Sequence, residues 1–222
     1  QASKVLAFEP DVYGEFQKIL DRNVQKMESF IEKLEKNDNK TDVKIFRNNA
    51  CSLEDVPDDT YDLIITSPPY GDSRTTVAYG EYSRLSLQWI NLDNLSEKEI
   101  MGVDKSLMGG KKYRNGFEMT LDSKTLRSSL EKIKDVDLVR AGDVYSFYED
   151  LNEVLKATSK KTKSGGYHFW VVGNRTVKNV VLQTDKILSE LAKFYGLETI
   201  YVIDRNIPNK VMPSLNSPTN KS

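Results

Sequence analysis

The chain has 222 residues, 38% of them hydrophobic, which is enough for one full α/β core or for a core with a small insertion. Its 32 Lys and Arg nearly cancel its 33 Asp and Glu, so bulk charge does not mark a nucleic-acid binder, and any such role needs local basic patches. One cysteine and one histidine exclude an internal disulfide and argue against a His/Cys zinc cage; no apolar run is long enough to span a membrane, and a cytoplasmic, metal-free protein is expected.

Taken in order, Asp11 to Lys36 carries apolar residues at helical spacing, including Phe16, Ile19, Leu20, Met27, Phe30, Ile31 and Leu34, with charge on the other face. A polar turn, "NDNKTD", separates it from a short strand in "VKIFRNNA". A loop then leads to Leu63, Ile64 and Ile65, which read as a fully covered central strand. Residues 83–92 are expected to be helical, with Leu85, Trp89 and Leu92 forming a core face.

From Ser96 to about Arg140 the composition shifts to Gly, Lys, Ser and Asp, which predicts an insertion, part loop and part helix, on the core sheet. Helical period returns at Asp143 to Lys161, and "KSGG" is placed at that helix's end. "YHFWVVG" reads as a buried strand, "NVVLQTDKILSELAKFYG" as a helix stopping at Gly196, and "LETIYVID" as another strand. This alternation is the α/β pattern, and the Pro-punctuated tail fits neither a regular helix nor a central strand.

The stretch "DLIITSPPYGDS" concentrates the chemistry. Pro68 and Pro69 remove two backbone donors and must end the strand. Open α/β sheets take ligands outside the carboxyl ends of their strands, where this tetrapeptide falls. An exocyclic amine on a nucleobase is a poor nucleophile because its lone pair is delocalised into the ring. Two acceptors on its N–H groups can draw the nitrogen toward tetrahedral geometry; the Ser67 hydroxyl and the Pro68 carbonyl are the candidates here, with the Tyr70 ring as a flat face on which an extruded base would stack.

With those residues in view, "TSPPYGDSRTTVAYGEYSRLSLQWI" resembles the catalytic segment of bacterial restriction-modification DNA amino-methyltransferases. The likeness continues through "GGYHFWVVGNRTVKNVVLQTDKILSELAKFYGLE" and "DRNIPNKVMPSLNSPTN". It implies a Rossmann-like sheet with helices on both faces, S-adenosylmethionine as cofactor and double-stranded DNA as substrate. It also implies three segments: residues 1–92 and 141–222 as two parts of the methyltransferase core, and 93–140 as an inserted target-recognition piece. Ser67, Pro68, Pro69 and Tyr70 are then the catalytic set, and Asn49, Ala50, Thr66 and Asn174 the residues expected near the cofactor. The Ser form of the tetrad is more typical of N4-cytosine than of N6-adenine enzymes, so transfer to cytosine N4 is the leading expectation. Adenine N6, an RNA base, and a non-catalytic subunit are the alternatives.

The family's Gly-rich cofactor loop has no counterpart in these residues. The expectation is that an upstream segment or a partner chain supplies it. Lys111, Lys112 and Arg114 in a Gly-flanked loop, together with Arg175, Arg205 and Lys210, are candidates for nucleic-acid contact, with a solvated charge patch as the alternative for the first three. His168 is expected to be a packed core residue and Cys51 a structural one, since Cys51 lacks the preceding proline of cytosine-C5 methyltransferases.

Overall fold

The computed structural model describes residues 11–36, 42–72, 79–90 and 94–205. It divides into two units, Gln1–Ile45 and Phe46–Ser222. In the first unit the only described regular element is helix α1, Val12–Lys36, whose amphipathic pattern matches the sequence reading. Asp11 caps it by accepting the Gly14 N–H at 2.9 Å.

The second unit is organised around helices. Its described elements are β1 (Tyr61–Thr66), α2 (Tyr79–Ile90), α3 (Glu97–Ser106), α4 (Lys124–Lys134), α5 (Leu138–Lys161), β2 (Thr162–Trp170), β3 (Arg175–Val177), β4 (Val180–Leu182) and α6 (Thr184–Ala192). A 3-10 turn at Lys193–Tyr195 ends α6, with Gly196 in the left-handed region as its cap. The core forms where α4, α5, the β3–β4 hairpin and α6 meet. From Ala141 to Tyr148 every residue of α5 is buried, the behaviour of a helix surrounded by its own domain.

Local chemistry fixes these elements. Asp137 caps α5 by accepting the Arg140 N–H at 2.9 Å, and Ser123 caps α4 by accepting the Leu126 N–H at 3.0 Å. Leu126, Leu130 and Ile133 then recur at i, i+4 and i+7 and bury one face of α4. Two buried phenols find partners: Tyr145 accepts the Thr120 N–H at 3.0 Å, and Tyr148 lies 3.0 Å from the Thr184 hydroxyl.

Strands β1 and β2 pair in parallel, with Leu63 opposite Tyr167, Ile64 opposite His168, Ile65 opposite Phe169 and Thr66 opposite Trp170. Strands β3 and β4 form a separate antiparallel hairpin. Several sequence expectations are corrected here. The expected Rossmann-like sheet, with helices on both faces, is represented among the described residues by one parallel pair and one hairpin. Stretches 43–46 and 197–203 carry strand-like sequence but have no ladder partner among the described residues, and a strand exists only through its ladder.

The β1 strand is also not fully covered. Leu63, Ile65, Tyr167 and Phe169 share one face and are 51%, 68%, 61% and 50% exposed, whereas Ile64, Thr66, His168 and Trp170 are partly buried on the other. On α2, Leu85 and Trp89 are exposed rather than core, and Leu92 lies outside the described residues. "KSGG" does not end a helix: α5 stops at Lys161, and the glycines sit in a bulge of β2, where the register shifts between Tyr61 and Leu63. "NVVL" begins as strand β4 because Lys178 and Asn179 both take positive φ and make a two-residue hairpin turn before the α6 helix starts.

Burial therefore predicts an unequal response to truncation. Leu130→Ala should destabilise the chain by about 2–5 kcal/mol by opening a cavity beside α5. Ile65→Ala, on the open face, should cost within about 0.5 kcal/mol. Urea denaturation of both variants checks this, and equal losses would contradict the helix-centred core.

Candidate functional site at the carboxyl end of the parallel strands

Strand β1 ends at Thr66, whose carbonyl accepts the Val171 N–H at 2.9 Å as the last rung beside β2. After Ser67 come the two prolines, which offer the ladder no further donor. Ser67 and Tyr70 are exposed at this end, and Pro68 and Pro69 are half-buried beneath them. The Tyr70 ring lies on the chain leaving β2: a Cβ built on Gly173 would come within 3.1 Å of Tyr70 Cδ1. Only glycine at 173 lets the ring approach so closely without displacement. One strand end thus seats the aromatic residue of the other.

Immediately after Tyr70 the chain turns inward. Gly71 is buried and Asp72 is 0% exposed. The Asp72 carboxylate accepts hydrogen bonds from Arg140 Nη1 at 3.1 Å and from Arg175 Nη1 at 3.3 Å. Arg140 also reaches Asp143 at 3.5 Å, and Lys112 Nζ meets the other Asp143 oxygen at 2.5 Å. The Arg175 guanidinium lies 5.6 Å from the Phe147 ring centroid. Burial works to lower its pKa from the ordinary value, and the Asp72 carboxylate opposes that shift. Gly109, at φ 73°, passes so close that a Cβ there would lie 2.6 Å from that of Asp72, and its N–H donates to Asp150 at 2.8 Å. The loop carrying Ser67 to Tyr70 is thus anchored by an ion cluster on α5 and on the start of β3.

The remaining sequence candidates divide. Lys112 and Arg175, expected to contact nucleic acid, lie against Asp143 and Asp72 with side chains 28% and 10% exposed. Lys111 lies over the Tyr113 ring at 4.6 Å and within 3.8 Å of Glu149, yet stays largely exposed. Arg114 and Arg205 are exposed, and Lys210 lies outside the described residues. Near the expected cofactor position, Asn49 Oδ1 accepts the Cys51 N–H at 3.0 Å in a tight turn with Ala50 exposed at its tip, and Asn174 Oδ1 accepts the Asp185 N–H at 3.4 Å. Those two amide oxygens are engaged locally and close no cradle of their own among the described residues.

His168 is half-buried, its Nε2 2.7 Å from the Thr162 hydroxyl and its Nδ1 accepting from Trp170 Nε1 at 3.3 Å. Burial lowers its pKa, which fits a neutral packing residue better than a general base. Cys51 is partly buried, and burial first, then Asp150, pushes its thiol pKa up, away from nucleophilic reactivity. Among the described residues no group of three or more His, Cys, Asp or Glu could hold a metal, and no helix is long and apolar enough to cross a membrane. What the sequence reading missed is the Asp72 cluster. Its only sequence signal was an acid directly after a buried turn glycine, with no indication of which arginines it would meet.

Comparison with known proteins adds one relative. Over 224 aligned residues the chain is 42% identical to the type II methyltransferase M.MvaI of Kocuria varians, an alignment that takes in 98% of this chain. The similarity is to a methyltransferase. The chain spans 49% of that relative's length. No family model matches the chain, and no solved structure matches it.

The anchor makes a testable statement about stability. Asp72→Asn leaves two partly buried guanidinium groups facing a neutral amide and should destabilise the second unit by about 3 kcal/mol. Guanidinium denaturation of the variant measures it, and an unchanged midpoint would show that the cluster does not hold the loop.

Proposed function

We propose that this chain is the amine-methylating portion of a type II restriction-modification DNA methyltransferase, acting on the N4 amine of a cytosine extruded from a specific duplex site. The observation that carries the reading is the pairing of an exposed Ser67–Pro68–Pro69–Tyr70 shelf with a methyltransferase relative alignable over almost the whole chain. S-adenosylmethionine, when bound, supplies an electrophilic methyl group; Asn49, Ala50, Thr66 and Asn174 are the proposed neighbours of that group.

The chain's own residues do the rest. Tyr70, 48% exposed and steadied on Gly173, stacks on the extruded base, a contact worth about 1–3 kcal/mol. Ser67 Oγ and the Pro68 carbonyl accept the two N–H bonds of the amine, which localises the lone pair on nitrogen as it attacks. Because both prolines have fixed φ and no N–H, the acceptors are placed before the base arrives, and placement of this kind supplies much of the rate. The bound donor would give up its methyl and keep the electron pair of the methyl–sulfur bond, and the proton that the amine loses would leave on the Ser67 hydroxyl side, which is open to solvent. Lys111, Arg114, Arg205 and Lys210 are proposed to contact the DNA, while Arg175 and Lys112 hold the ion cluster beneath the shelf.

Ser67→Ala removes one acceptor from the amine and leaves the stacking face intact. Turnover should fall about 100-fold, with the Kd for duplex DNA within about twofold of the parent. Single-turnover methyl transfer and a binding titration on the same preparation check it, and unchanged turnover would remove Ser67 from the mechanism.

A further inference from the structure

Away from the strand ends, the β3–β4 hairpin packs beside α4, and the two border an open groove of about 580 Å³. Lys124, Ser128 and Lys132 line its helix side and Asn179 and Gln183 its hairpin side, and no Asp or Glu lines it. Lys124, Ser128 and Lys132 follow one another at i, i+4 and i+8, so they form a single stripe on α4. That stripe lies off the face that buries Leu126, Leu130 and Ile133. Both lysines are exposed, and neither has an ion-pair partner among the described residues. In a chain whose charges nearly cancel, a groove with two cations, several neutral hydrogen-bonding groups and no carboxylate is a local exception.

Its walls are also firm. The α4 helix is held by three buried apolar residues, and its first turn is closed from inside, where Glu190 accepts from the Ser123 hydroxyl at 2.5 Å, the Thr125 N–H at 3.1 Å and the Thr125 hydroxyl at 2.6 Å. The opposite wall is a hairpin fixed by buried Val177 and Leu182. Two lysines eight residues apart on a helix stand about 12 Å apart along its axis. That distance covers about three phosphates of one DNA strand, each advancing about 3.4 Å along the duplex. The hairpin begins at Arg175, two residues beyond the glycine that seats Tyr70, so the groove's hairpin wall follows in the chain from the residue against which the base-stacking ring rests.

We infer that the α4–hairpin groove is a sugar-phosphate contact that holds one strand of the DNA substrate, with Lys124 and Lys132 neutralising phosphates and Ser128, Asn179 and Gln183 donating to phosphate oxygens. The inference rests on the DNA-methylating reading above. It assigns positioning rather than sequence readout to the groove, since phosphate contacts set register without reading bases.

The test is the salt dependence of duplex-DNA binding by the chain and its Lys124→Gln/Lys132→Gln variant, with Lys156→Gln at the far end of α5 as the charge control. Losing two phosphate contacts should flatten the slope of log K against log salt by about 1.8, so that the parent loses about 12-fold more affinity than the double variant between 50 and 200 mM salt. The control should keep the parental slope. An unchanged slope in the double variant, an equal change in the control, or no measurable binding of DNA by the parent would each overturn the groove. Methyl transfer scored in parallel separates the two readings. DNA binding with the expected slope change but no methylated product keeps the groove and removes the reaction. Methylated product with an unaltered slope does the reverse.

Discussion

Everything at the strand ends depends on one buried carboxylate. Asp72 has no exposed surface and is bonded by two guanidinium groups, one from α5 and one from the first residue of β3. A buried charge of this kind is tolerated only when paired, so the turn that follows Tyr70 is tied to the position that sets Asp72 between Arg140 and Arg175. Since Tyr70 is two residues upstream, its ring cannot leave the Gly173 backbone without pulling on that cluster. The prolines stiffen the shelf from one side and the ion cluster fixes it from the other.

The same constraint explains why the core sits where it does. The site needs a firm floor at the carboxyl ends of two parallel strands, and α5 provides it. Along its length α5 carries Arg140 and Asp143 for the ion cluster, Phe147 under Arg175, and Tyr145 and Tyr148 for the packed interior. Helix α4 and the β3–β4 hairpin close around it, and Trp170 and Val172 bring the end of β2 against the same cluster. Residues 124–134, within the stretch that composition marks as an insertion, contribute Leu126, Leu130 and Ile133 to this core.

How much of this was legible in the sequence divides along physical lines. Helix α1, the main body of α5 and the β1 strand were readable because periodicity and β-branched runs are local signals. The strand end at Ser67 was readable because two prolines leave the ladder no donor. The hairpin at residues 175–182 was not, because its turn uses Lys178 and Asn179 at positive φ rather than a glycine pair. Exposure of Leu85, Trp89, Leu63 and Ile65 was not legible either, since apolar spacing reports a shared face but not what covers it. At the site, the prolines and the aromatic residue after them were visible in the sequence as a stiff strand end. The partners of Arg175 and Lys112 were not visible, because an ion pair across 103 residues or 31 residues leaves no trace in local composition.

The reaction proposed for the strand ends has a serine hydroxyl and a proline carbonyl on a stiffened shelf direct a methyl group to an exocyclic amine of cytosine. Nucleoside analysis of duplex DNA treated with the protein and isotopically labelled S-adenosylmethionine tests it most directly. The account predicts label in N4-methylcytosine alone, whereas label in N6-methyladenine or in C5-methylcytosine would contradict it.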